Sequence, residues 1–155
     1  MLGKYLMFYE TKIGTIGIAE DGDGNITNLF FSREGHTIDL RETLILKNAF
    51  RELNEYLDGN RKTFDLVYSF EGTDFQKKVW AELQNIPYGM TIGYGKLAKQ
   101  IGNPKAYRAV GSTVRKNPIP IFVPCHRVVS SDGDIGGYSR GISYKKKLLM
   151  IEGSL

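Results

Sequence analysis

Residues 94–117, "YGKLAKQIGNPKAYRAVGSTVRKN", contain six Lys/Arg and no acidic residue, the most concentrated basic run of the chain. Gly102, Asn103 and Pro104 punctuate it. Gly turns the chain, Asn caps the helix that follows, and Pro at the first helical position gives up an amide that has no partner there. The spacing therefore predicts two short helices, 94–101 and 104 to about 116, joined as a helix-turn-helix. On the second helix Ala106, Val110 and Val114 recur at i, i+4 and i+8 and are expected to face inward. Lys105, Arg108, Ser112 and Arg115 then lie elsewhere on the cylinder, and the small residues Ala109, Gly111 and Ser112 would let a nucleic-acid backbone approach closely. A solvated helix in a domain that binds no nucleic acid has the same geometry, so the pattern leaves both readings open.

Upstream of this run, "EGTDFQ" (71–76) marks a boundary. Thr73 and Gln76 have the spacing of a capping box, and Phe75, Val79, Leu83 and Ile86 continue on one helical face until Pro87 stops it. Residues 1–70 have a different texture. Segments 5–10, 14–20 and 26–32 are short, rich in β-branched and aromatic residues, and read as a strand meander, with "DGDGN" (21–25) as a hairpin turn. From 39 to 58 the period becomes helical, through Leu40, Leu44, Phe50, Leu53 and Leu57, until Gly59 ends it. "FDLVYSF" (64–70) predicts a last strand. The expected organisation is an α/β amino lobe, 1–70, and a mostly helical lobe, 71–155.

Downstream, "IPIFVPCHRVV" (119–129) is apolar, β-branched and too short for a helix, and predicts a buried strand ending in a turn. A glycine-rich polar loop, 130–141, and an amphipathic terminal helix follow. With 155 residues, 41% hydrophobic and 25% charged, the chain suits one globular unit or two small lobes. Residues 1–72 hold 8 Lys/Arg against 12 Asp/Glu and residues 73–155 hold 13 against 5, so the halves carry −4 and +8. The basic half is suited to a polyanion. No run approaches the roughly 18 apolar residues of a membrane span, so a soluble, cytoplasmic protein with no membrane partner is expected. One cysteine provides neither a disulfide nor a multi-thiolate zinc site.

That cysteine, Cys125, adjoins His126. A thiol attacks as thiolate, and a free cysteine with a pKa of ~8.5 needs a base or a positive field to supply one at neutral pH. In extended backbone Cys125 and His126 would point to opposite sides, so contact between them requires a turn or a bridging water. Arg127 adds positive charge nearby. A lone cysteine in an apolar segment is also commonly an inert core residue, and the residues alone leave both options standing. His36, in a polar loop, reads as an ordinary contact.

In this order, "VWAELQNIPYGMTIGYGKLA" (79–98), "GNPKAYRAVGSTVRKNPIPIFVPCHRVV" (102–129), "GGYSRG" (136–141) and "LLMIEG" (148–153) resemble the O6-alkylguanine-DNA alkyltransferase family. The resemblance covers about 70–153; residues 1–70 share with the family only size and element order. It implies a ribonuclease-H-like amino lobe and a winged helix-turn-helix-like DNA-binding lobe. It implies that Cys125 accepts an alkyl group from O6 of guanine, with O4 of thymine as a second candidate donor, in one irreversible displacement. His126 would deprotonate Cys125 through water and Glu152 would orient the imidazole. Asn117 would hold the turn carrying the thiol, and Tyr94 would donate to the departing guanine. Tyr138, Ser139 and Val128 would line the base pocket. Arg108 would fill the stack vacated by an everted base, with Lys105, Ala109, Gly111, Ser112, Thr113 and Arg115 along the DNA. The implied partner is double-stranded DNA carrying O6-alkylguanine, bound by a monomer that needs no cofactor and no metal.

Two rivals remain at this stage. A lesion sensor that flips alkylated bases without transferring the group would keep the basic helix and Arg108 but has no use for a nucleophile. A cysteine hydrolase would use Cys125 and His126 but leaves the basic helix without a task.

Overall fold

"DGDGN" does in space what its composition requires. Gly22 and Gly24 adopt φ of 85° and 95°, a region closed to most side chains, and the chain reverses between two strands. The computed structural model describes residues 2–130, 135, 136, 138 and 141–155. The chain divides into two units, 1–71 and 72–155. In the first, β1 (Tyr5–Thr11), β2 (Gly14–Glu20) and β3 (Asn25–Phe30) form an antiparallel meander. Two short strands, β4 (Asp39–Leu40) and β5 (Val67–Tyr68), pair in parallel with β1 and β3, giving the order β4-β1-β2-β3-β5 among the described residues.

The helix predicted from 39 starts later. Asp39 and Leu40 are drawn into the sheet edge, and α1 (Leu44–Leu57) begins after Thr43, whose hydroxyl accepts the Leu46 amide. A cap of this kind is worth about 1 kcal/mol. Leu46, Ala49, Leu53 and Tyr56 are buried along α1, and Phe50 stacks on Tyr9 of β1 with ring centroids 4.0 Å apart. His36 rests on Phe30 at 3.9 Å and takes part in a hydrogen bond to the Ser32 carbonyl.

The second unit opens with α2 (Asp74–Leu83), whose Thr73 and Gln76 make the reciprocal capping box. α3 (Tyr94–Gln100) and α4 (Tyr107–Arg115) follow. The turn between them differs in detail from the sequence reading. Asn103 makes no side-chain cap; its carbonyl accepts the Ala106 amide, and a 3-10 turn over Pro104–Ala106 precedes α4. Val110 and Val114 are buried, and the Trp80 indole of α2 donates to the Thr113 carbonyl at 2.9 Å, tying α2 to α4.

The apolar segment 119–123 is not a continuous strand. Asn117 grips it at both ends, its Oδ1 accepting the Ile119 amide at 2.9 Å and its Nδ2 donating to the Val123 carbonyl at 2.8 Å. Ile121, 1% exposed, is held at φ 73°. That conformation costs a β-branched residue about 1–3 kcal/mol and persists only where its surroundings impose it. A 3-10 turn, Cys125–Arg127, follows, and then β6 (Ile92–Gly93) pairs in parallel with β7 (Val128–Val129). That short ladder has a consequence for the site: β6 leads directly into Tyr94 and β7 leads directly out of the cysteine turn. The chain ends in α5 (Ile142–Ile151), capped by Glu152.

Candidate active site

The turn at Cys125–Arg127 answers the question that extended backbone raises. Cys125 N bonds to the Val123 carbonyl at 2.8 Å and Arg127 N to the Pro124 carbonyl at 3.1 Å, so three consecutive polar side chains leave a tight coil instead of alternating. All three are buried, His126 completely and Cys125 to 4% exposure. Glu152 is buried beside them. Its Oε2 accepts His126 Nε2 at 2.7 Å, and Arg127 reaches both oxygens, Nε at 2.9 Å and Nη2 at 3.0 Å. The Gly89 amide adds a further contact to Oε1 at 3.3 Å. Arg127 Nη1 also donates to the Ile86 carbonyl at 2.6 Å. Arg127 is thus committed to fixing Glu152, whose carboxylate balances its charge.

With Nε2 donating to the carboxylate, the basic nitrogen of neutral His126 is Nδ1. Burial pushes the imidazole below its ordinary range, against the pull of Glu152, and Arg127 and Lys145 push the same way as burial. Burial likewise raises the Cys125 thiol, while Asn117, Tyr138 and the charge of Lys145 favour its anion. The resting pair is therefore thiol and neutral imidazole. The unfolded chain takes up a proton on His126 near the ordinary value of ~6.5, whereas the folded chain does so only at lower pH. The unfolded state thus binds more protons in that window, and the stability contributed by neutral His126 is lost as pH falls below it. We expect the denaturant midpoint of the wild type to drop between neutral pH and about pH 5 by more than that of His126→Gln. Equal drops would contradict the neutral assignment.

On the outer side, Lys105, Arg108, Ala109 and Arg115 are exposed and Ser112 is half-buried. Thr113 is not on this face. It is 5% exposed, its position follows the inward stripe of Val110 and Val114, and its main-chain carbonyl accepts the Trp80 indole, so the side chain expected along the DNA is buried. A cavity of about 420 Å³ is lined by Tyr94, Tyr107, Arg108, Gly111 and Arg115. A Cβ at Gly111 would make ordinary van der Waals contact with the Tyr94 ring at 3.5 Å and with Arg115 Nη1 at 3.8 Å, which places Gly111 directly against both. Half-buried Tyr94 faces this cavity; burial raises its phenol, Arg115 lowers it by charge and hydrogen bond, and the charge of Cys125 adds a smaller upward push. Tyr94 therefore stands between the cavity and the thiol. Val128 is fully buried with its carbonyl turned to Lys145 Nζ at 2.6 Å. Tyr138 lies beside the thiol, and Ser139 is outside the described residues.

Lys145 escaped the sequence reading, hidden in the run Lys145-Lys146-Lys147. A signal existed: Lys145, Leu148, Leu149 and Glu152 fall at i, i+3, i+4 and i+7, one helical face.

A buried cysteine turn with a His126–Glu152 pair, together with a basic helix that has its own cavity, defines a two-helix unit of the nucleic-acid-binding kind. Comparison with known proteins narrows this. The DNA-binding domain of 6-O-methylguanine DNA methyltransferase matches residues 74–154, and the ribonuclease-like domain of the same proteins matches 4–69. A methylated-DNA–protein-cysteine methyltransferase of Methanosarcina mazei is 50% identical, over 96% of each chain, and one of Methanosarcina acetivorans is 43% identical, over 97% of this chain and 99% of its own. The crystal structure of Mycobacterium tuberculosis OGT in complex with DNA superposes with a TM-score of 0.90 at 39% identity, covering 97% of this chain and 93% of that one. The chain belongs to the 6-O-methylguanine DNA methyltransferase family, with a ribonuclease-like domain followed by a helical DNA-binding domain.

Proposed function

We propose that this protein repairs alkylated DNA by transferring the alkyl group from O6 of guanine to its own Cys125, once per molecule. The observation that carries the reading is a sole cysteine, coiled against a buried His126–Glu152 pair, behind a cavity walled by Tyr94 and Arg108. The same displacement extends to O4 of thymine. His126 Nδ1 takes the thiol proton through a water, and Glu152, held by Arg127, stabilises the imidazolium. The thiolate attacks the alkyl carbon; the S–C bond forms as the C–O6 bond breaks, and the electron pair leaves with guanine, which Tyr94 assists by donating a hydrogen bond or proton. Asn117 holds the turn, and Val128, Tyr138 and Ser139 border the pocket. No cofactor is required, because the protein is the acceptor.

A stacked base exposes no alkyl carbon to a buried sulfur, so the target nucleotide must be everted at a cost of a few kcal/mol. Arg108, exposed on α4 and resting over Tyr107 with 5.8 Å to the ring centroid, is the side chain assigned to the vacated stack. Small Ala109 and Ser112 suit the narrow minor groove. Lys105 and Arg115 supply phosphate contacts without sequence preference. In this reading the unit boundary near 70 separates a ribonuclease-H-like lobe from a winged helix-turn-helix module in which α4 meets the DNA. The protein acts as a cytoplasmic monomer.

Arg108→Ala is expected to slow transfer from duplex DNA by about tenfold or more, from loss of a share of the eversion energy, and to leave reaction with free O6-methylguanine base nearly unchanged. Equal slowing on both substrates would remove Arg108 from the eversion step. The function itself is tested by titrating O6-methylguanine duplex against a fixed amount of protein. Methyl loss from DNA should plateau at one per chain. Continued turnover would indicate a hydrolase, and binding without loss a lesion sensor.

A further inference from the structure

α5 presents one buried face to the cysteine turn, with Lys145 at one end and Glu152 at the other, about 10 Å apart along the axis. Leu148 and Leu149, also buried, fill the space between. Glu152 engages the His126 and Arg127 side of the turn. Lys145 Nζ donates to the carbonyl of Val128, the residue whose N–H closes the turn by donating a hydrogen bond to the Cys125 carbonyl. Its neighbours Lys146 and Lys147 are exposed, as lysines usually are, yet Lys145 has no accessible surface at all. Burying an ammonium costs several kcal/mol unless negative charge or strong dipoles face it. Among the described residues, the titratable groups on which its charge acts are Cys125, whose anion it favours, and His126, whose cation it opposes. Arg127 is neutralised by Glu152, which makes the thiol the group whose ionisation Lys145 most favours.

We propose that Lys145 is the electrostatic counterpart of Glu152, its ammonium stabilising the Cys125 thiolate while Glu152 stabilises the imidazolium, so that one helix face holds both ends of the proton transfer. This rests on the reading of Cys125 as acceptor. Lys145 is a positioning residue, since it touches neither DNA nor the reacting carbon. Its charge opposes the imidazolium as well, but Glu152 is in direct hydrogen-bond contact with that ring and outweighs it. Burial brings the Lys145 ammonium down to about 8, and ionised Cys125 raises it. The two groups therefore support each other's charged forms, as reciprocal coupling requires.

The test is the titration of the Cys125 thiolate by its ultraviolet absorbance, which needs no DNA. Lys145→Met keeps the length and apolar stem without the charge. Its thiolate midpoint should rise by about one unit or more, the pH midpoint of single-turnover methyl transfer should move the same way, and Lys145→Arg should restore most of the shift. Affinity for unmodified duplex should not change. A cooperatively folded Lys145→Met whose thiolate titrates as in the wild type overturns the proposal. If that variant does not fold, nitrogen NMR of lysine in the intact protein decides. Lys145 should titrate at higher pH in the wild type than in Cys125→Ser, and identical titrations would overturn the coupling. A wild type that shows the coupling but accepts no methyl would instead refute the transferase reading.

Discussion

Cys125→Ser is expected to take no methyl group from O6-methylguanine DNA, at any pH or incubation time, while its affinity for duplex DNA stays within about threefold of the wild type. The asymmetry follows from the geometry. The sulfur lies behind α4 and does not line the cavity on the exposed face, so removing it leaves the phosphate-contacting surface intact. A serine hydroxyl in the same place is far less acidic than a thiol and faces an imidazole whose basicity burial has already reduced. Chain and substrate have no second thiol to substitute for it. Transfer rates and binding isotherms on the same preparation check this prediction; residual stoichiometric transfer to the Ser variant would move the acceptor elsewhere.

Glu152→Ala should be the most destabilising single change in the second unit. The carboxylate has no exposed surface and joins a fully buried imidazole to the Arg127 guanidinium. Removing one member of a buried ionic cluster leaves an uncompensated charge, which costs about 3–5 kcal/mol. Surface pairs, by comparison, are worth about 1 kcal/mol or less. Denaturant unfolding should therefore show a loss of several kcal/mol for Glu152→Ala. Glu152→Gln should lose less, since it can still accept a hydrogen bond, but it should still transfer slowly because it cannot balance the imidazolium. A Glu152→Ala midpoint close to the wild type would mean that the carboxylate is solvated and that the His126 assignment lacks its anchor.

What the sequence disclosed follows a physical rule. Features set within a few residues were legible: the glycine turn at 21–25, the Thr73–Gln76 box, the basic run and the inward stripe of Val110 and Val114. Features set by distant partners were not. The start of α1 moved because β1 recruits Asp39 and Leu40 as an edge strand. Segment 119–123 is β-branched and apolar, yet Asn117 bends it through the positive φ of Ile121. The resemblance singled out Cys125, His126 and Glu152, but not that Arg127 belongs to Glu152. Lys145 was obscured because three consecutive lysines look alike until a helix assigns them to different faces.

The proposed transfer leaves the alkyl carbon on the sulfur of Cys125 for good. Intact-mass and peptide mass spectrometry after incubation with an excess of O6-methylguanine duplex tests it most directly. The prediction is a gain of one methyl group per chain, confined to the peptide containing Cys125, with guanine restored in the DNA. An unmodified chain, whether the DNA is left methylated or is demethylated, would contradict it.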